Sequence, residues 1–420
     1  MIDGQHDGAM QNRAEPACLI IADIAGYTGY MAGVELDHAQ DILADLMDTV
    51  VGTLRPPFRL AKLEGDAAFA YVMAETVDGS ALQDSVERTY FGFRRRLRDI
   101  KQASRCECNA CILIPSLDLK VVVHHGLIAR HRIAGWEELV GSAVILVHRL
   151  LKNQVAEAIG FKAYALYTQD CLTAAGIDPE VQGLRSHVET TDIAGDVTVW
   201  LRDLDAAWMA DQTGHRLSVT DKSAYRTYVT ESAAPPMLVW EYLTSPIRRP
   251  QWVPGVTAIL EASPSGRRGA GTVNHCMHGK DAVLEEILDW QPGRSWTTRS
   301  TMPMPNTPSL LLTDELEALP DGGTRVTSRV GRPKPRDRAA FEGFFPMVEP
   351  LLLEAMGGIS RALAEELERR AAEGEPEPAL PTPNARFLTQ PVTKAESAAG
   401  TAAGSAAGAV DSAPSNSLSG

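Results

Sequence analysis

Leu19-Ile-Ile-Ala-Asp23-Ile-Ala-Gly26-Tyr-Thr28 decides the fold, and Ala61-Lys62-Leu-Glu-Gly65-Asp66-Ala completes the reading. Ala17 to Ala22 is a short apolar run, the pattern of a buried strand, and it ends on a carboxylate and a glycine turn. Phe58 to Lys62 and Ala67 to Val72 flank Gly65-Asp66 as the strands of a hairpin flank their turn. One carboxylate at a strand end and a second in a hairpin turn suit Mg2+, which takes few hard oxygen ligands and shares the rest with substrate phosphates. Taken singly, Asp23 reads as a cap for the next turn and Asp66 as an ordinary turn residue.

Working outward, His38, Ala39, Ile42, Leu43, Leu46, Met47 and Val50 fall at helical spacing, and Pro56-Pro57 closes that segment. Asp84 to Ala103 reads as an amphipathic helix and Leu119 to His124 as a strand. Ser142 to Lys152 reads as a helix; Tyr164 to Thr168 and Val197 to Leu201 read as further strands. This order fits an α+β sheet with helices on one face, over 15–205. After a linker, 206–224, a second patterned block spans 225–372. It runs strand (Tyr225 to Ser232), short helix (Pro235 to Thr244), six strands separated by Gly and Pro turns between Thr257 and Val330, and a long helix from about Arg338. Such a meander gripping a helix leaves a hollow for a ligand. Residues 1–14 form a polar lead-in, and 373–420, rich in Glu and Pro and then in Ala, Gly and Ser, is expected to be disordered.

The net charge of −14 argues against nucleic-acid binding, which needs a basic face. The opening Met1 to Pro16 has no apolar core of a signal peptide, and no apolar run is long enough to span a bilayer, so a cytoplasmic location is expected.

The first block resembles the class III adenylyl and guanylyl cyclases. Asp23-Ile24-Ala-Gly26-Tyr27-Thr28 matches their metal-binding Asp-Ile-x-Gly-Phe-Thr with Tyr for Phe, and Lys62-Leu-Glu-Gly65-Asp66 matches their Lys-x-x-Gly-Asp. Val121-Val-Val-His-His-Gly126 is similar to the later strand ending in His-x-Gly. Leu139-Val-Gly141-Ser-Ala-Val144-Ile145-Leu-Val-His-Arg149-Leu150 is similar to the helix Gly-x-x-Val-Asn-x-Ala-x-Arg-Leu. The resemblance implies a ferredoxin-like nucleotide-cyclase fold in which Asp23, Asp66 and the Ile24 carbonyl hold Mg2+ or Mn2+. Lys62 and Glu138 would recognise the purine of a nucleoside triphosphate, and Arg149 would stabilise the transferring phosphate. It also implies a homodimer, because sites of this family form between two such domains. One departure stands out: the family's transition-state Asn falls on Ile145, and losing one such donor costs on the order of 10²–10³ in rate.

Cys106-Glu-Cys108-Asn-Ala-Cys111 offers three thiolates on a short loop, suited to Zn2+ or an Fe–S cluster, with His124 or His125 as a fourth ligand. This insertion before Leu117-Asp-Leu-Lys120 resembles a group of bacterial cyclase-like proteins. Cys18, Cys171 and Cys276 read as small apolar fillers.

The second block resembles the START-like, or polyketide cyclase (SRPBCC), superfamily in its helix with Leu238-Val-Trp240, in Pro250-Gln-Trp252-Val-Pro-Gly255, in Gly269-Ala-Gly271-Thr and in its terminal helix. The resemblance implies a helix-grip cup for a small apolar ligand, lined by candidates Trp252, His275, His278, Trp290, Trp296 and Met302. Two functional readings follow: a metal-dependent cyclase acting on ATP or GTP and modulated through the cup, or a non-catalytic nucleotide-sensing or dimerisation module coupled to it.

Overall fold

Eight consecutive buried residues, Ala17 to Ile24, run through the first strand, and sheet and helices are laid out around them. The computed structural model describes residues 14–34, 36–103, 108–133, 136–214, 216–303 and 307–372. Lead-in residues 1–13, the tail 373–420 and Cys106 lie outside the described residues.

The N-terminal half runs β1 (Glu15–Ala25), α1 (Tyr27–Ala32), α2 (Leu36–Leu54), β2 (Arg59–Glu64), β3 (Ala67–Met73), α3 (Gly79–Ala103), α4 (Asn109–Ile112), β4 (Asp118–Ile133), β5 (Trp136–Val140), α5 (Ser142–Leu150), α6 (Val155–Ile159), β6 (Tyr164–Thr168), α7 (Gln169–Ala175), β7 (Arg185–Thr191), β8 (Gly195–Asp203) and α8 (Leu204–Thr213). Its sheet has the order β2-β3-β1-β4-β6-β8-β7, with β5 added on β4. All pairings are antiparallel except β4 with β6.

A strand apolar at every position must be covered on both faces. Cys18, Ile20, Ala22 and Ile24 enter one core with residues of α2, α3 and α7. Ala17, Leu19 and Ile21 enter the other with Ala143, Val147 and Leu150 of α5 and Val155 of α6. The helices therefore flank the sheet on both sides, not on one face as the element order suggests. Alternation along β1 puts Asp23 on the α5 side.

The C-terminal half runs β9 (Ala224–Ser232), α9 (Pro236–Thr244), β10 (Ala258–Ala262), β11 (Val273–His278), β12 (Asp281–Gln291), β13 (Ser295–Thr301), β14 (Leu310–Ala318), β15 (Thr324–Gly331) and α10 (Arg338–Ala372). The antiparallel sheet β10-β11-β12-β13-β14-β15-β9 curls around α10. That helix lies directly on the Trp252 backbone: a Cβ on Gly358 would sit 2.4 Å from the Trp252 carbonyl oxygen. Both halves are α+β, and no helix among the described residues is long and apolar enough to cross a membrane.

The stretch expected as a linker opens as α8, whose buried Trp208 packs on Phe91 of α3 with ring centroids 5.4 Å apart. The halves are joined by charge. Arg267 forks onto Glu87 at 2.9 Å from each oxygen and reaches Asp84 at 2.5 Å. Arg268 reaches Asp78 at 3.0 Å, and the Trp290 indole donates to Asp84 at 3.1 Å. Burial alone would raise Glu87, but Arg267 and Arg202 outweigh it and hold its carboxyl below the usual range.

Candidate functional site

The end of β1 and the β2–β3 turn meet because of two glycines. Gly26 has φ 86°, and a Cβ there would lie 2.7 Å from the Ser116 carbonyl oxygen, so only glycine lets β1 turn into α1 against that backbone. Gly65, at φ 71°, turns β2 into β3. Asp23 then stands opposite Ala67, and the Ile24 amide donates to the Asp66 carbonyl at 3.0 Å. The two carboxylates share one electrostatic environment: Asp66 is raised above its usual range first by burial and next by the charge of Asp23.

Sequence reasoning missed the group that balances Asp23. Lys120 is its register partner on β4 and places Nζ 3.1 Å from Asp23 Oδ2. The same ammonium donates to the Leu151 carbonyl at 3.3 Å, at the C-terminal end of α5, where a cation is favoured by the helix dipole. Asp23 is only 9% exposed, and a carboxylate that buried needs a cation. Lys120 reads in sequence as the polar position of a strand, and only the β1–β4 register reveals its partner.

Lys62 is exposed, 4.0 Å from Glu64. Glu64 in turn bonds His148 of α5 at 2.9 Å. His148 is also tied through Nδ1 to the Val144 carbonyl at 2.7 Å and stands edge-on to Phe69. Glu64 and His148, neither singled out by the motifs, thus connect Lys62 to α5. Glu138 lies half-buried on β5 opposite His131. Arg149 points elsewhere, pairing with Asp192 in the β7–β8 turn at 3.4 Å. Ile145, one helical turn before Arg149, is 49% exposed. A single chain therefore gathers Asp23, Asp66 and Lys120 at one point and keeps Arg149 on another partner.

The donor set fits a divalent ion in one respect. Asp66 carries a charge made unfavourable by burial and by Asp23, which a cation beside it and the Ile24 carbonyl would relieve. Asp23 is already served by Lys120.

The cysteine loop is a different matter. Cys108 and Cys111 sit one turn apart around α4, which is tied to α1 by the Tyr30 hydroxyl donating to the Ala110 carbonyl at 3.0 Å. His125 lies seven residues along β4 from Asp118, about 23 Å at ~3.3 Å per residue, and bonds the Ala74 carbonyl instead. His124 bonds Thr168. Neither histidine joins the loop, and among the described residues no three His, Cys, Asp or Glu side chains gather as a metal-holding group. Cys18 and Cys171, far apart in sequence, meet in the first core: the Cys171 thiol is raised by its hydrogen bond to Cys18 and by burial.

In the cup, the six candidates scatter. Trp252 lines a cavity of about 80 Å3 beneath α10, with Asp314, Ser328 and Leu352 among its walls. Trp296 is core, donating to Asp314 at 2.8 Å. His275 alternates with buried Asn274 and Cys276, which turns it to the outer face, and His278 is exposed. Met302 packs in the second cup cluster, and Trp290 packs on Trp240 and Trp296 in the first while its N–H reaches Asp84 of the N-terminal half. The interior is more polar than an apolar-ligand cup requires. Arg249 forks onto Glu285 at 2.6 and 2.9 Å, and Asn274 donates to Glu285 at 3.0 Å, all within the buried core. Arg249 Nε and Asn274 Oδ1 have no hydrogen-bond partner among the described residues.

Fold and site define a two-part α+β protein: an eight-stranded sheet with paired carboxylates at a strand end, followed by a seven-stranded antiparallel sheet closed on a long helix. Residues 225–372 match the family described as polyketide cyclase / dehydrase and lipid transport. Residues 43–158 match a family described as protein of unknown function (DUF2652). An uncharacterized protein of Mycobacterium tuberculosis is 36% identical over 113 residues, which are 27% of this chain and 52% of that protein. The chain thus spans about half the length of this relative. Among solved structures, the guanylyl cyclase Cya2 is similar over 46% of this chain and 93% of its own, at 17% identity and TM-score 0.35. Protein NE0264 from Nitrosomonas europaea is similar over 36% of this chain and 99% of its own, at 20% identity and TM-score 0.28.

Proposed function

We propose that the N-terminal half binds a nucleoside triphosphate as a regulatory module with little or no turnover, coupled to a small-molecule cup, and that the chain works as a homodimer. The supporting observation is the Asp23–Lys120 ion pair at 3.1 Å. A two-ion cyclase mechanism asks both carboxylates to be available to metal. Here one has its charge balanced by a lysine fixed to the end of α5, and the helix meant to supply a transition-state amide presents Ile145. Binding needs less: Asp66 with one Mg2+ or Mn2+ for the phosphates, and Lys62 and Glu138 for the base. Zn2+ or an Fe–S cluster at Cys106, Cys108 and Cys111 stays a separate proposal, checked by metal analysis of anaerobically prepared protein and of Cys108→Ser.

The cup's ligand is proposed to be small. A cavity of about 80 Å3 is far below the ~300–1,000 Å3 of drug-sized sites, so a larger apolar ligand would have to lift α10.

Purified chain is titrated with ATP and GTP, with and without Mg2+ or Mn2+, and cyclic product is sought in the same samples. Nucleotide binding without product is the expected result, and no nucleotide binding at all would sink the reading. The alternative, a slow metal-dependent cyclase, is favoured by the shared field of Asp23 and Asp66. Ile145→Asn separates the two: a tenfold or greater rise in product would favour the cyclase, since the restored donor acts in the transition state.

A further inference from the structure

We propose that the cleft between the two halves is a binding site for a small molecule carrying phosphate or carboxylate oxyanions, gripped between Arg95 of α3 and Arg294 of the β12–β13 turn. The cleft has a volume of about 510 Å3, within the usual range for small-molecule sites. Seven arginines line it against three carboxylates, Glu87, Asp211 and Asp289, in a chain whose net charge is −14. Asp84, Asp78 and Glu261, which Arg267 and Arg268 reach behind the lining, leave a small excess of positive charge, and that excess favours an anion.

The partners of these arginines single out two of them. Arg267 and Arg202 are spent on Glu87, and Arg268 on Asp78 and Glu261. Arg216 takes Asp211 and Asp289. Arg88 donates to the carbonyls of Thr53 and Pro56. All three lining carboxylates are thereby engaged. Arg95 lies over the Trp208 ring, 5.9 Å from its centroid, and among the described residues neither Arg95 nor Arg294 forms an ion pair. Arg95 is held below its usual range first by burial and next by the charge of Arg294, with Asp211 opposing. An oxyanion between them converts this repulsion into two attractions, and the planar guanidinium fork suits phosphate or carboxylate. Phe91, Leu288, Trp290 and Pro292 offer the same ligand an apolar wall.

The site is separate from the carboxylates at the end of β1 and does not depend on nucleotide binding there. Its ligand touches both halves and so adds to the contact between them.

The test uses the full chain, calorimetric titration at low salt, and two probes, inorganic pyrophosphate and citrate, so that phosphate and carboxylate oxyanions are distinguished. Wild type is expected to bind at least one probe. Arg95→Gln and Arg294→Gln are each expected to weaken that binding tenfold or more, whereas Arg149→Gln and Asp66→Asn leave it within twofold. Each of the two cleft variants should melt without ligand at the wild-type temperature or slightly above it, because a like-charge contact is relieved; this shows that they are folded. The proposal is overturned if neither probe binds wild type, if both cleft variants bind as wild type does, or if Arg149→Gln loses binding as they do.

Discussion

The two halves each hold a carboxylate–cation pair, and they hold it differently. Asp23 and Lys120 sit where a strand ends and a hairpin turns, with the Lys120 side chain 24% exposed. Arg249 and Glu285 lie inside the cup, both side chains under 10% exposed, with Asn274 packed against them. An ion from solution can reach the first pair and not the second. The first is therefore a place for chemistry or binding, and the second is committed to the fold.

The sharpest way to break this contrast is to remove one cation from each pair. Arg249→Leu strands Glu285 in the core and should cost about 3–5 kcal/mol, whereas Arg249→Leu combined with Glu285→Leu should recover most of it. Chemical denaturation of the full chain reads both; an equal loss in single and double variants would mean the pair is not what the cup depends on. Lys120→Met should cost less, about 1–3 kcal/mol, because the Lys120 side chain is 24% exposed and water can take the place of its ammonium. Millimolar Mg2+ or Mn2+ should restore part of that loss and none of the loss in Arg249→Leu. Melting curves with and without metal decide this, and equal insensitivity would make the strand end as closed as the cup.

Acid and base separate the halves more gently. Asp66 is raised above 3.8 by burial and by Asp23, so its contribution is present at low pH and is lost as pH rises through its folded value. Asp66→Asn should remove that slope and raise metal-free stability slightly at neutral pH, while abolishing metal-assisted nucleotide binding. Glu366 near the end of α10 has the opposite sign. Burial would raise it, but Arg369 and Arg370 outweigh burial and bring it from 4.5 to about 2. Its contribution is present above about 4.5 and is lost as pH falls toward 2. Glu366→Gln should flatten the acid limb by lowering the melting temperature at neutral pH while leaving it nearly unchanged near pH 2.

Much of this was legible in the chain. The cup strands fall within a residue or two of their expected ends because alternation and Gly or Pro turns mark them. Asp23, at the end of β1, stands opposite Ala67, the residue after Asp66 of the hairpin turn. What stayed hidden depends on register and on contacts distant in sequence. Lys120 is a polar strand residue until β4 is laid against β1. Trp290 packs in the cup core against Trp240 and Trp296, and only Asp84, distant in sequence, shows that its indole N–H also reaches the other half. Arg249 sits in an irregular stretch between prolines, where no periodicity marks it as buried. β7 and α8 were missed because short, mixed-polarity segments leave a weak pattern.

Arg267 and Arg268 have a consequence for how such a chain can be taken apart or recombined. A cut in the joining stretch would leave Asp84 facing water on one fragment and Arg267 without its counterions on the other, while Arg268 keeps Glu261 and Glu87 keeps Arg202. Grafting another cup onto this sheet would meet the same difficulty unless the new cup brought a cation to the position of Arg267. The two matched families meet along this seam, yet the seam belongs to neither alone. In this molecule the exchangeable unit is the pair of halves.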